Sequence, residues 1–391
     1  MHYIRLLRSP VVGRGRVHAS IKVVLTITTD LGDSFLSPRE PLELSVIGAY
    51  TERRDGNDQL IPIELAQGCA LRWRAGMRVL KFDVPLPPQP VATIQIRPSN
   101  GALAALSTTD ISRSKHGLVI AAYANISRPS DAATAPVSFR SLRLPVSQDT
   151  AAQVMQVEED IGESIARHIW DAGITAVSLI ADICLDNRPE GLETTLPLLR
   201  NILRPEHHRP LNILELGCGV GILSIGMARI LSTGQDGTTV NILMTDLPEA
   251  EERARANIAR QAEGLRAAAT TLDFEPLNWE DGKHGVFGKK AKSYAWDLIV
   301  LSDCTYNVDM LQPLIRTLSA LYSHSFGHGS CAGVPVKTDV FLATKQRHSS
   351  EKVLFDLMSS DGWVVREQTV LRLPVLNGEG QSVELYLFGK E

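Results

Sequence analysis

Apolar and polar positions change rhythm along this chain. Up to residue 126 the apolar residues come in short runs: 21–28 (IKVVLTIT), 42–49 (LELSVIGA), 78–84 (RVLKFDV) and 92–97 (ATIQIR). Several alternate with polar residues at a period of two and are rich in branched side chains, which predicts half-buried strands. Turn-rich segments (DLGDS, RRDGND, PLPPQP) separate them. A small antiparallel sandwich or barrel is expected over residues 1–126, with no chemical constellation in it. The polar, proline-bounded stretch 127–136 (SRPSDAATAP) reads as a linker.

Beyond the linker the period lengthens. Residues 158–183 carry Ile161, Ile165, Ile169, Ala172 and Ala176 at steps of three or four, a helical spacing. Strands and helices then alternate. Strands are expected at 213–216, 240–244, 270–272, 297–301 and 340–343, and helices up to 231, up to 257, over 310–322 and over 350–359. Such alternation predicts a parallel sheet with helices on both faces. The closing strands, 363–370 and 383–388, have no helix between them and should pair as a hairpin, making one edge antiparallel. The expected fold is α/β: a doubly wound, seven-stranded, mostly parallel sheet over residues 137–391, preceded by a mainly-β domain.

Candidate chemistry begins at the loop Glu215-Leu216-Gly217-Cys218-Gly219-Val220-Gly221, between a buried strand and a helix. In doubly wound folds that turn holds a nucleotide. A dinucleotide site has GxGxxG and puts a pyrophosphate on the helix N-terminus. Here the spacing is GxGxG, and Glu215 would repel phosphates. S-adenosylmethionine carries a sulfonium and an ammonium instead, and both suit an acidic neighbour. The next strand ends at Asp246, beside the loop. A carboxylate there can accept from both ribose hydroxyls, although Asp246 alone could be a helix N-cap before Pro248. An NAD-dependent oxidoreductase is disfavoured by the spacing.

Bulk properties narrow the class further. At 391 residues, two domains are expected. A net charge of −4 gives no reason to expect nucleic-acid binding. The cysteines Cys69, Cys184, Cys218, Cys304 and Cys331 are scattered and never spaced CxxC, which argues against a zinc site or a disulfide framework. With no signal-peptide pattern and no run long enough to span a membrane, cytoplasm or nucleus is expected.

The segments ILELGCGVGILSI, TDLPEAEERARANI and WDLIVLSDCTY resemble those of the seven-β-strand methyltransferases. More narrowly they are similar to family 16, the non-histone protein-lysine methyltransferases, from about residue 144 to 389. The resemblance implies S-adenosylmethionine as cofactor and a lysine of a protein as acceptor. It implies that Trp170 lies over the cofactor and that Gly217, Cys218 and Gly219 surround its methionine part, with Gly221 also in the cofactor-binding loop. For adenine two registers stand: Leu272-Asp273-Phe274 and Leu277-Asn278-Trp279. Trp279 is preferred, with Asp273 a candidate for the adenine amino group. Ser302 should line the adenosine pocket. Asp303 and Tyr306 should face the target side chain, Asp303 guiding the ammonium and Tyr306 walling the channel. Lys345-Gln346-Arg347 matches a family segment in which an arginine follows a strand, and reads as surface charge.

By family analogy the substrate is a translation factor or a chaperone, with the N-terminal domain docking it. Other acceptors stay open: protein histidine, protein arginine or a small molecule. So does a cofactor-binding scaffold without turnover.

Overall fold

The computed structural model of the chain describes residues 1–14, 19–54, 57–127, 136–145, 153–162, 167–185, 195–205, 209–233, 238–265, 269–328, 336–347, 353–376 and 380–390. They form two compact units. The first comprises Met1–Arg143, Gln156–His168 and Leu373–Gln381. Its strands are β1 (His2–Leu6), β2 (Val11–Arg14), β3 (Ala19–Thr29), β4 (Leu42–Arg54), β5 (Asn57–Trp73), β6 (Leu80–Pro85), β7 (Thr93–Pro98) and β8 (Ala104–Ala105). After the short helix α1 (Thr108–Arg113) come β9 (Val119–Ile120), β10 (Ala122–Asn125), β11 (Val137–Arg143) and β12 (Val154–Asp160).

These strands make two sheets, ordered β2-β3-β1-β9-β8 with β6 beside β3, and β12-β11-β10-β7-β4-β5. Alternation puts one row of apolar side chains inside. Ile94 and Ile96 of β7, Leu44 and Val46 of β4, and Ile21, Leu25 and Ile27 of β3 share a core with Trp73, which packs the two sheets as a sandwich. The Trp73 indole N–H is satisfied by the Leu36 carbonyl at 2.7 Å. A buried ion pair, Arg140–Glu159 at 3.1 Å, lies within this unit. The Arg140 guanidinium also donates to the carbonyls of Ile4 and Ala121 at 2.8 and 2.9 Å, tying β11 to the other sheet.

Two expectations need correction. Residues 128–135 of the expected linker lie outside the described residues, but the first unit continues past them. Strand β11 pairs antiparallel with β10, with Phe139 opposite Tyr123, because the sheet extends by backbone pairing. The expected helix at 158–183 does not begin at 158 either. Residues up to Asp160 belong to β12, where Met155, Val157 and Glu159 alternate inward. The helix starts after Trp170, whose backbone is extended (φ −110°, ψ 152°). Ile165 lies outside the described residues.

The second unit comprises Leu144–Met155, Ile169–Arg372 and Ser382–Glu391. In chain order it holds α2 (Asp171–Cys184), α3 (Pro197–Leu203), β13 (Leu211–Leu216), α4 (Ile222–Leu231), β14 (Val240–Asp246), α5 (Glu251–Leu265) and β15 (Thr270–Pro276). Then follow α6 (Trp279–Gly282), β16 (Leu298–Ser302), α7 (Leu311–His328), β17 (Asp339–Thr344), α8 (Val353–Ser360), β18 (Trp363–Leu373) and β19 (Gln381–Lys390). The sheet order is β15-β14-β13-β16-β17-β19-β18. Strands β13 to β17 run parallel, while β19 enters antiparallel against β17.

The central strands are near-continuous apolar runs because both faces are covered. β13 reverses the strand order, with β14 on one side and β16 on the other. That reversal opens a crevice at the carboxyl ends of the strands, where such folds bind ligands. No described helix is long and apolar enough to cross a membrane.

Candidate active site

The crevice is built first by glycine. Gly217, Gly219 and Gly221 have φ of 69°, 53° and 86°, a left-handed backbone that disfavours other residues. Space is the second constraint. A Cβ at Gly217 would stand 3.0 Å from Cys304 Cβ and 3.3 Å from Trp279 Cζ2. The loop is held from β14: Cys218 N–H donates to the Thr245 carbonyl at 3.0 Å, and Thr245 Oγ1 donates to the Glu215 carbonyl at 2.6 Å. From α5, the buried Asn257 amide donates to the Val220 carbonyl at 2.9 Å.

Asp246 sits where the strand-end argument puts it. One carboxylate oxygen accepts from Gly219 N–H and the other from Leu247 N–H, both at 2.7 Å. A carboxylate has about four lone-pair sites, so two stay available for ribose hydroxyls. Glu215 is fully buried. Its Oε2 accepts from Ser224 N–H at 3.2 Å, while Oε1 has no partner among the described residues. Burial, with the nearby Asp246 charge adding to it, raises the Glu215 carboxyl to about 8. A buried carboxylate with an unused oxygen favours a cationic ligand group. Cys218 packs with Met244, Ala254 and Phe274, and burial raises its thiol far above the reactive range.

The adenine side separates the two registers. β15 runs on to Pro276, which is opposite Asp246. Asp273 therefore lies three residues short of the carboxyl end, not at it. There it pairs with Lys290 at 2.5 Å and Arg255 at 3.7 Å. Phe274 is wholly buried under α5. Trp279, by contrast, stands against Gly217 at the mouth of the loop. The structure brings Trp279 to the open side of the glycine loop, buries Phe274 behind it against Cys218, and holds Asp273 away from it.

The end of β16 supplies the rest. Ser302 faces the first turn of α2, its Oγ 3.3 Å from where a Cβ on Gly173 would stand. Asp303 has a left-handed backbone, φ 50°. Its carboxylate does not point to an open acceptor site. One oxygen accepts from Ala172 N–H at 2.8 Å; the other accepts from Lys345 N–H at 3.2 Å and Arg347 Nη1 at 2.8 Å. The side chain is 1% exposed. The expectation that Asp303 guides a substrate ammonium is therefore corrected: in this arrangement Arg347 already neutralises it. Tyr306 does stand outward, 62% exposed. Partial burial and the charge of Asp246 raise its hydroxyl pKa, so it stays neutral at physiological pH. Asn307 caps the following turn, its side chain accepting from Asp309 N–H.

Lys345 and Arg347 are also not surface charge. Lys345 Nζ pairs with buried Asp171 at 2.8 Å. The Arg347 guanidinium lies 5.0 Å over the Trp170 ring. These partners, with Asn257 and Thr245, escape sequence reasoning. The one signal was the basic triplet after β17, since each partner is distant in the chain.

Fold and crevice together define a class I methyltransferase architecture. A family model described as lysine methyltransferase matches residues 149–361, and the chain belongs to this family. A UPF0665 family protein of Schizosaccharomyces pombe is 25% identical over 212 residues, 53% of this chain and 50% of that protein. The chain thus spans about half the length of this curated relative. Among solved structures, a SAM-dependent methyltransferase from Methanosarcina mazei is 15% identical, covering 50% of this chain and 97% of that one, with a TM-score of 0.33. P. horikoshii TYW2 in complex with MeSAdo is 11% identical, covering 49% and 60%, with a TM-score of 0.28.

S-adenosylmethionine is the family's cofactor, and the residues fit it. The orphaned Glu215 oxygen suits a cation, the cradle at Gly217 excludes a Cβ, and Asp246 keeps acceptor capacity for a ribose.

Proposed function

We propose that the protein is a protein-lysine N-methyltransferase. Trp170, Glu215, Gly217, Cys218, Gly219, Gly221, Asp246, Trp279 and Ser302 would hold S-adenosylmethionine, which supplies a sulfonium methyl for in-line displacement. Bound there, the cofactor would supply the methyl group to a lysine nitrogen, leaving as the neutral thioether, with the displaced proton passing to solvent. A lysine amine has a reference pKa of about 10.4, so it must lose a proton before attack.

The chain's share is alignment, which can be worth roughly 7–11 kcal/mol. The observation that supports this reading is the convergence of three strand ends. The glycine loop after β13, Asp246 on β14 and the Asp303–Tyr306 turn after β16 meet where the strand order reverses. Tyr306 is an outward aromatic beside that crevice, and it would wall the channel and receive the entering ammonium on its ring before the proton is lost. Asp303 acts through its neighbours and not on the acceptor.

The acceptor would be a non-histone protein, a translation factor or chaperone by family analogy, and the N-terminal sandwich would dock it. The test is transfer of labelled methyl from S-adenosylmethionine to a lysate, followed by mass-spectrometric mapping of the labelled residue. Label on lysine supports the reading. Label on histidine, arginine or a small molecule sinks the lysine assignment, and cofactor binding without label makes the chain a scaffold. Crosslinking the acceptor to the intact chain would then show whether it contacts strands β1–β12.

A further inference from the structure

We propose that Arg347 is a positioning residue for methyl transfer, fixing the ring of Trp170 and the Asp303–Tyr306 turn in one arrangement. This rests on the function proposed above. A left-handed backbone is uncommon at a residue with a Cβ, even though aspartate tolerates it better than most, and it is held in place by its surroundings. At Asp303 four contacts hold it. Its N–H donates to the Ala343 carbonyl at 3.1 Å, and its carboxylate accepts from Ala172, Lys345 and Arg347. Three of these are backbone contacts. Arg347 adds a side-chain cation to them, while the Lys345 ammonium pairs with Asp171.

The same guanidinium lies over the indole of Trp170, 5.0 Å from the ring centroid, and Trp170 is the residue that opens α2. One planar cation therefore joins the start of α2 to the end of β16. Arginine suits this bridge because its fork pairs with a carboxylate while its face stacks on a ring; a lysine ammonium is only a point charge. Two consequences reach the site. The turn at Asp303 seats Cys304 against Gly217, under the glycine loop, and leaves Tyr306 outward. And Asp303, neutralised by Arg347, does not hold the acceptor as an ammonium. A nearby free carboxylate would raise the amine's pKa and oppose the deprotonation that attack requires.

The experiment uses the full chain with Arg347→Ala and Arg347→Lys. Arg347→Ala should lower kcat by roughly tenfold to a hundredfold, the scale of a small misplacement of reacting groups. The KM for the mapped acceptor should stay within about threefold, while binding of S-adenosylhomocysteine, which Trp170 would help to hold, should weaken much less than kcat falls. Millimolar guanidinium should restore part of the Arg347→Ala rate, and Arg347→Lys should stay closer to Arg347→Ala than to the parent.

Trp170 gives a readout without turnover. The emission difference between the protein and its Trp170→Phe variant should change when Arg347 is removed. A kcat within about twofold of the parent would overturn the proposal. A parallel loss of S-adenosylhomocysteine binding, no recovery with guanidinium, or an unchanged Trp170 emission would do the same. If the parent transfers no methyl group, the functional reading fails, while the Trp170 emission still decides the Arg347 bridge.

Discussion

Glu215 shows how one buried carboxyl couples ligand to proton. With its pKa raised to about 8 by burial, it holds a proton at neutral pH when no cation faces it. A bound ammonium or sulfonium favours the carboxylate, so binding expels a proton. Affinity for S-adenosylmethionine should therefore rise between pH 6 and 7.5, by up to about tenfold per unit. Calorimetry in two buffers of different ionisation enthalpy would show the released proton, and Glu215→Gln should abolish the slope. An unchanged slope in that variant would place the titration elsewhere. Without ligand the sign reverses for stability. The native state keeps a proton that the unfolded chain gives up, so stability should fall as pH rises from 4.5 towards about 8.

Asp303 and Tyr306, joined in one motif by sequence, should separate on mutation. Asp303→Ala strands a partly buried Arg347 and removes three hydrogen bonds, costing about 3 kcal/mol in urea unfolding. Tyr306→Ala, at an exposed position, should leave the unfolding midpoint unchanged within about 0.5 kcal/mol while turnover falls. Equal destabilisation by both would contradict the division.

At the scale of elements, α2 and α4 are pressed together beside the glycine loop. Every residue of α2 except Asp182 is buried, and α4 meets it at Gly226. A Cβ at Gly226 would lie 2.4 Å from Val177 Cγ2. Alanine gains about 1 kcal/mol in helix propensity over glycine, but overpacking costs about 1–3 kcal/mol. The second effect should win: Gly226→Ala is expected to unfold at lower urea and weaken cofactor binding. Adding Val177→Ala should recover part of the loss, and strict additivity of the two changes would refute this contact.

The elements also show where sequence reading succeeds. Strands β13, β14, β16 and β17 are legible because a strand buried on both faces is a continuous apolar run. The segment from 158 misleads because Ile161 and Ile169 keep a helical spacing across a strand end, Gly162 and an extended Trp170. Asp246 could be read because it ends the strand next after the loop, and Trp279 only through the family resemblance. Arg347 could not, since its carboxylate partner is 44 residues away and a basic triplet after a strand usually faces water.

For the whole molecule the question is where the chain can be cut. The proline-bounded stretch 127–136 looks like the place, yet strands on its far side complete the first unit's sheet. β11 needs β10, and the Arg140–Glu159 pair beneath them is buried on both sides. Arg140 also spends two donations on Ile4 and Ala121. A chain beginning at residue 127 keeps β11, β12 and both charges but loses β10 and those two carbonyls. It would expose an unpaired sheet edge, which templates aggregation. It would also leave guanidinium donors without acceptors, at about 1–3 kcal/mol each when buried. Such a chain should elute as aggregate in gel filtration and lack a cooperative thermal transition, although it retains every residue of the proposed cofactor site. A soluble monomer that binds S-adenosylhomocysteine as the full chain does would show that β11 and β12 are dispensable to the second unit. The expected aggregation would mean instead that both units must be studied in one intact chain, with any docking role of the sandwich tested by surface substitutions.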